Sequence, residues 1–250
     1  MIDSSQGDSV VILFRGGRLP QWHQLDEEQR HDYERQHVDL MLSVSEHHSL
    51  IGIHGYRLLT SRNSWERFWT IEFPDLAGAE AWMSAEVEPP YGHYGFYDYS
   101  LARRWQPESL AWLPRKPEPS VASDADPRVI PPLTVDPSSI VVLAFGGWRR
   151  GSDQVDPQTR GDEDRQQRLQ EVAREHDLIH GEVFRLLGTN TEGEFLGILE
   201  FPQLAGAEAW IEAEKAPPAG SYHKRNYHLA RRWAPEYFAT WPPEETRQEG

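Results

Sequence analysis

The run EFPDLAGAEAW at residues 72–82 returns as EFPQLAGAEAW at residues 200–210, with Asp75 exchanged for Gln203. The register between the two, 128 residues, holds without a gap from Glu46 to Trp105. Within it the triplet RLL at 57–59 falls on RLL at 185–187, and LARRW at 101–105 falls on LARRW at 229–233. Upstream, VVILFRGG at 10–17 matches IVVLAFGG at 140–147 with an offset of 130, so a short indel separates the copies in the following loop. Whatever fold this chain adopts must therefore be satisfied twice by units of about a hundred residues. Two copies are too few, and each is too long, for a solenoid or a propeller.

Each copy resolves into the same elements. Val10 to Phe14 is a β-branched run closed by Gly16-Gly17, which predicts a buried strand. Asp26-Glu27-Glu28 then opens a polar segment in which Tyr33, His37, Leu40, Met41, Val44 and His48 recur at helical spacing. Residues 50–59 and 65–73 predict a hairpin whose turn is 60–64 in the first copy and 188–193 in the second. In the repeated motif Pro74 stops a strand, Asp75 caps, and Leu76, Ala79 and Met83 form one stripe of a short helix that Pro89-Pro90 ends. Residues 97–105 supply a last strand.

The order β-α-β-β-α-β, met twice, predicts two ferredoxin-like repeats, each an antiparallel sheet with both helices on one face. In residues 68–73 both alternating sets are bulky, so the second sheet face needs cover too, which a sheet-on-sheet contact between the copies would provide. The predicted boundaries are 1–113 for the first repeat, 114–138 for a proline-rich linker, and 139–250 for the second repeat with its tail.

Composition narrows the partners. The chain has no cysteine, which excludes disulfide scaffolds, thiolate metal sites and cysteine nucleophiles. A net charge of -15 repels nucleic-acid phosphates and anionic membranes alike. No apolar run reaches the roughly 18 residues of a membrane span, and no secretory leader is visible, so the chain reads as cytoplasmic. Ten tryptophans, nine tyrosines and nine phenylalanines predict generous cores or an aromatic-lined cavity for a small molecule.

With this element order the chain resembles the dimeric α+β barrel superfamily, in which two ferredoxin-like units place their sheets face to face; here both units lie in one chain as an internal pseudo-dimer. The first copy is also similar to the small darcynin-like proteins, on a Trp followed by Leu-x-x-Glu-x-Arg that Trp22, Leu25, Glu28 and Arg30 echo. The second copy has Trp148 and no such run. The superfamily resemblance implies a range of functions: cofactor-independent monooxygenases, cyclases on aromatic polyketides, isomerases, and heme-binding chlorite dismutase relatives. Fold alone does not choose among them.

Several residues could carry chemistry. His37 lies on the apolar stripe of the first helix, where an imidazole can act as general base, and its counterpart Arg165 can hold an anion. A histidine with its tip at the surface and a snorkelling arginine would produce the same pattern. His54 and Glu182 take equivalent places on the second strand of each copy, as polar groups of a cavity or of a solvated rim. His48 and His176 coincide at the end of the first helix, where they suit its negative end. The heme-binding relatives imply another use for His176, since their axial histidine lies near a Glu-His-Gly run; here Glu175-His176 is followed by Asp177.

Residues retained in both copies suit structure, and a site more often survives in one, which favours the first copy with Tyr33, His37, His54 and Trp69. The leading expectation is a small-molecule enzyme, a possible monooxygenase or biosynthetic tailoring enzyme, working without cofactor or metal on an apolar or aromatic substrate. His37 or His54 would be the base, Arg57 or Arg165 would steady an anion, and Tyr33, Trp69 and Glu182 would line the pocket. The alternatives are a non-catalytic ligand-binding or assembly module and a heme-binding protein. The chain would act as a monomer with an internal pseudo-twofold or as a homodimer.

Overall fold

A computed structural model describes residues 9–60, 65–115, 138–188 and 193–234 of the 250-residue chain. The tips of both hairpins, most of the proline-rich linker and the C-terminal tail lie outside the described residues. The chain divides into two units. The described part of the first is 9–101 with 232–234, and that of the second is 102–115 with 138–231.

The first unit runs β1 (Val10–Arg18), α1 (Glu27–His48), β2 (Gly52–Leu58), β3 (Arg67–Phe73), α2 (Leu76–Val87) and β4 (Gly95–Arg104), whose last residues count with the second unit. Its strands lie in the order β2-β3-β1-β4. The second unit continues with β5 (Ile140–Trp148), α3 (Pro157–Arg160), α4 (Asp162–Glu175), β6 (His180–Leu186), β7 (Phe195–Phe201), α5 (Leu204–Lys215) and β8 (His223–Arg232), in the order β6-β7-β5-β8. Pairing is antiparallel throughout, as in Val10 opposite Phe73 and Ile140 opposite Phe201. Each unit is therefore ferredoxin-like, with two hairpin-linked strands flanked by the first and last.

Local chemistry explains the helix starts. Asp26 accepts from the Gln29 amide at 2.8 Å while the Gln29 side chain accepts from the Asp26 amide at 3.1 Å, a capping box that holds the first turn of α1. Asp75 caps α2 by accepting from the Gly78 amide at 3.1 Å, whereas Gln203 makes no such bond at α5. The small residues of the repeated motif have a definite cause: a Cβ on Gly78 or Gly206 would sit 2.6 Å from the ring of Phe73 or Phe201. That close approach also rotates the buried stripe away from the predicted one. Gly78, Ala79, Trp82 and Glu86 face inward, and Leu76 stands 46% exposed.

Each unit has its own core between helices and sheet. In the first it is built by Ile12 and Phe14, Trp69 and Ile71, Met41 and Trp82; in the second by Val142, Leu199, Leu169 and Trp210. The equivalent of the unbroken α1 is split in the second unit, because Gly161 takes a left-handed φ of 71° between α3 and α4.

Candidate functional site

Both units leave a cavity at equivalent places between the sheet and the helices, and the two differ greatly in size. The first measures about 50 Å³ and the second about 340 Å³. The difference follows from a few exchanges between copies. Phe14, Trp69 and Met41 wall the first cavity; Ala144, Gly197 and Leu169 take their places around the second. A Cβ on Gly197 would make only ordinary contacts, 3.8 Å to Ala144 and Leu199, so the sheet there has no side chain standing on it.

The helix over the sheet carries a matched polar set in each unit. Trp82 and Glu86 on α2 correspond to Trp210 and Glu214 on α5, spaced four residues apart so that both point inward. Both glutamates are buried, with 5% and 4% exposure, and both indole nitrogens are buried with no hydrogen-bond partner. Tyr99 donates to Glu86 at 2.6 Å and the equivalent Tyr227 donates to Glu214 at 3.3 Å.

The partners of the two carboxylates then diverge. In the first unit His37 Nε2 approaches Glu86 at 3.4 Å, an ion-pair distance without a hydrogen bond. In the second, Arg165 donates to Glu214 in a close charge-assisted contact, and Arg225 Nε stands 3.0 Å from its other oxygen. Burial pushes the Glu214 carboxyl up, but Arg225 and Arg165 outweigh it and hold the group below its ordinary value. His223, the imidazole lining this cavity, is lowered to about 4 by burial and by the same two guanidinium groups. It is neutral at neutral pH, and its ring stacks on Trp148 at 4.2 Å between centroids.

Of the predicted residues, the structure gathers His37 and Trp69 at the first cavity and Arg165 at the second. Tyr33 is buried beside them, packed on His37 and Tyr91 and accepting from Arg18 at 3.3 Å. The others lie apart. His54 alternates with the cavity-lining Ile53 and so projects from the opposite sheet face, half-buried. Arg57 is exposed at the end of β2. Glu182 pairs with Arg104 and stands 3.6 Å from His180, outside the cavity lining. His176 closes α4 half-buried, its Cβ close to Gly206, and lines neither cavity.

Glu214, Arg225, His223 and Trp210 were not among the predicted site residues. The signal was present as a buried-face glutamate four residues after a tryptophan in both copies, with Tyr97 exchanged for Arg225 on the last strand. The larger cavity lies in the second unit, whereas residues found in a single copy had pointed to the first.

No protein-family model matches the sequence, and no curated protein matches it; the darcynin-like resemblance gains no support. Solved structures do resemble it. Chlorite dismutase from Candidatus Nitrospira defluvii in complex with imidazole superposes with a TM-score of 0.68 and 13% identity, covering 94% of this chain and 95% of that one. A variant of the same protein in complex with cyanide gives 0.66 and 12%, again over 94% and 95%. At such identity the likeness is one of fold, and it extends over both ferredoxin-like units.

The expectation of a protein without cofactor is overturned by these neighbours, since chlorite dismutases are the heme-binding members of the superfamily range. Among the described residues no helix is long and apolar enough to cross a membrane, and no cluster of three metal-ligating side chains occurs.

Proposed function

We propose that the second unit binds heme in the 340 Å³ cavity beneath α4 and α5. The observation that carries this reading is the lack of a side chain at Gly197, with only a methyl at Ala144, in a cavity that also offers a neutral imidazole, His223. The residues present fit such a group. Leu169, Val183, Leu199, Phe195 and Trp210 supply apolar walls, and the volume falls in the range of roughly 300–1,000 Å³ usual for cofactor pockets. His223 would hold the iron, because only a neutral imidazole nitrogen can donate a lone pair.

Bound heme supplies a redox-active iron able to take up a small exogenous ligand. The protein's part is to position and to tune. Arg165 and Arg225 present guanidinium groups that suit the carboxylates of the ligand, and the unpartnered Trp210 Nε1–H offers a further donor to them. Glu214, anchored by those arginines and Tyr227, keeps both cations in place while the cavity is empty. Trp148, stacked on His223 and itself covered by the Arg160 guanidinium at 4.5 Å, fixes the plane of the imidazole.

A cofactor-free reaction on an aromatic substrate at His37 has no such room, since the cavity beside it is about 50 Å³. The test is titration of the purified protein with hemin, followed by the Soret band. Saturation at one heme per chain, lost in H223A and in G197W but retained in H37A, is the expected result. No Soret shift, or a shift abolished by H37A and untouched by H223A, would refute it.

A further inference from the structure

The first unit's cavity is too small for heme, yet it is not an ordinary packing void. Cores of this kind are lined by apolar atoms, and buried polar groups are nearly always hydrogen-bonded. Here His37, 8% exposed, has neither ring nitrogen hydrogen-bonded, and Trp82, 2% exposed, has no acceptor for its indole N–H. Both residues line the same 50 Å³ space, and Arg18 and Arg67 line it as well. At roughly 10–15 Å³ per water-sized centre, the space takes a molecule of about three or four heavy atoms.

We infer that this cavity is a binding site for a small monoanion of carboxylate type, received by Trp82 Nε1–H and His37, with His37 taking up one proton from solvent as the anion enters. The proton is what makes the set consistent. A neutral imidazole has one donor and one acceptor, and so cannot donate both to Glu86 and to a ligand. As imidazolium it donates through Nε2 to Glu86, already 3.4 Å away, and through Nδ1 to the anion. No bond changes other than the new N–H.

The groups facing this arrangement are Tyr33 from α1, Glu86 from α2, Tyr91 from the turn after it, Tyr97 and Tyr99 from β4, and Arg18 and Arg67 from β1 and β3. Tyr91, Tyr97 and Tyr99 do not compete for the proton, because burial raises Tyr97 and Tyr99 far above their ordinary value and raises Tyr91 as well. Glu86 is held by the Tyr99 hydroxyl at 2.6 Å and supplies the counter-charge to the imidazolium. In the second unit the positions of His37 and Tyr97 carry Arg165 and Arg225, which hold fixed positive charge, so a proton-linked site of this kind belongs to the first unit alone.

The probe is formate, titrated calorimetrically near pH 8 in buffers of different ionisation enthalpy, with the nitrogen signals of labelled histidines recorded in parallel. One formate bound per chain, about one proton taken up, and conversion of one imidazole to the doubly protonated form are the expected results. H37Q should lose the proton uptake and weaken binding by about tenfold or more, and W82F should weaken it by a smaller factor. H176Q, at a histidine that lines neither cavity, should leave both unchanged. The inference is overturned if formate does not bind, if it binds without proton uptake, or if H37Q behaves as the parent protein does. The wild-type proton count and histidine spectrum decide the matter even if a variant fails to fold.

Discussion

Glu214 shows how much one side chain can depend on its neighbours. It is fully enclosed, and only the contacts from Arg165, Arg225 and Tyr227 make its charge tolerable there. E214Q leaves two guanidinium groups facing each other without a counter-charge, so urea unfolding should show a loss of about 3–5 kcal/mol. E86Q, which makes the acceptor of the Tyr99 hydroxyl neutral and removes the counter-charge 3.4 Å from His37, should cost about 1–3 kcal/mol. His223 makes a second residue-scale prediction. In the folded protein it stays neutral down to about pH 4, while in the unfolded chain it protonates near its ordinary value of about 6.5. Between these values the unfolded state binds the extra proton, so stability falls as the pH drops from about 6.5 to about 4 and is unaffected by this group above that window. Allowing for solvent screening, the loss is on the order of 1–2 kcal/mol, and the slope should flatten in H223Q when thermal unfolding is followed across the window without added heme.

Among the elements, the repeated helices α2 and α5 differ most simply at their caps. Asp75 satisfies the Gly78 amide and Gln203 leaves the equivalent amide without a side-chain partner, so Q203D should stabilise the second unit by about 0.5–1 kcal/mol in chemical denaturation. The α3–α4 break invites the opposite experiment. Gly161 has a φ of 71°, and a Cβ there would lie 2.6 Å from Pro218 Cγ, so G161A should destabilise by about 1–3 kcal/mol. At this scale the sequence was largely legible. The start of α1 could be read from Asp26 and the acidic residues after it, and the order of elements along the chain from alternation and the breakers Pro74 and Pro89. The inward face of α2 was misread by one position, because hydrophobicity marked Leu76 and Met83, whereas the packing of Gly78 on Phe73 decides the rotation. Heptad-like stripes record which residues are apolar, and only contact with the sheet records how closely a backbone approaches it.

For the molecule as a whole, the duplication located the fold and directed the search for a site to the first unit, whose cavity is the smaller of the two. Trp69, present in one copy only, reads as a pocket wall, yet in the folded first unit it and Phe14 occupy the space that Gly197 and Ala144 leave open in the second. A large aromatic side chain and a cavity wall look alike in a sequence; volume is a property of all the side chains that meet at one place. The two units thus form an internal control, with the same Trp, Glu and Tyr retained above a filled floor in one and an open floor in the other. Refilling the second floor by A144F with G197W should abolish the hemin-induced Soret band, and circular dichroism should report an unchanged fold, because both positions line the 340 Å³ cavity and a Cβ at 197 meets only ordinary contacts. Emptying the first floor by F14A with W69G should cost about 4 kcal/mol or more, since both rings are packed among buried neighbours. It should not create a heme site, because the first unit retains His37 on Glu86 but has Gly95 where the second has His223. The decisive arm adds G95H together with Y97R, because a Cβ at position 95 would lie 2.7 Å from the Tyr97 hydroxyl and the second unit has Arg225 there: a Soret band at one further heme per chain, absent from the same variant without G95H, supports the imidazole at that strand position, rather than the volume alone, as the group that holds the iron in the proposed site.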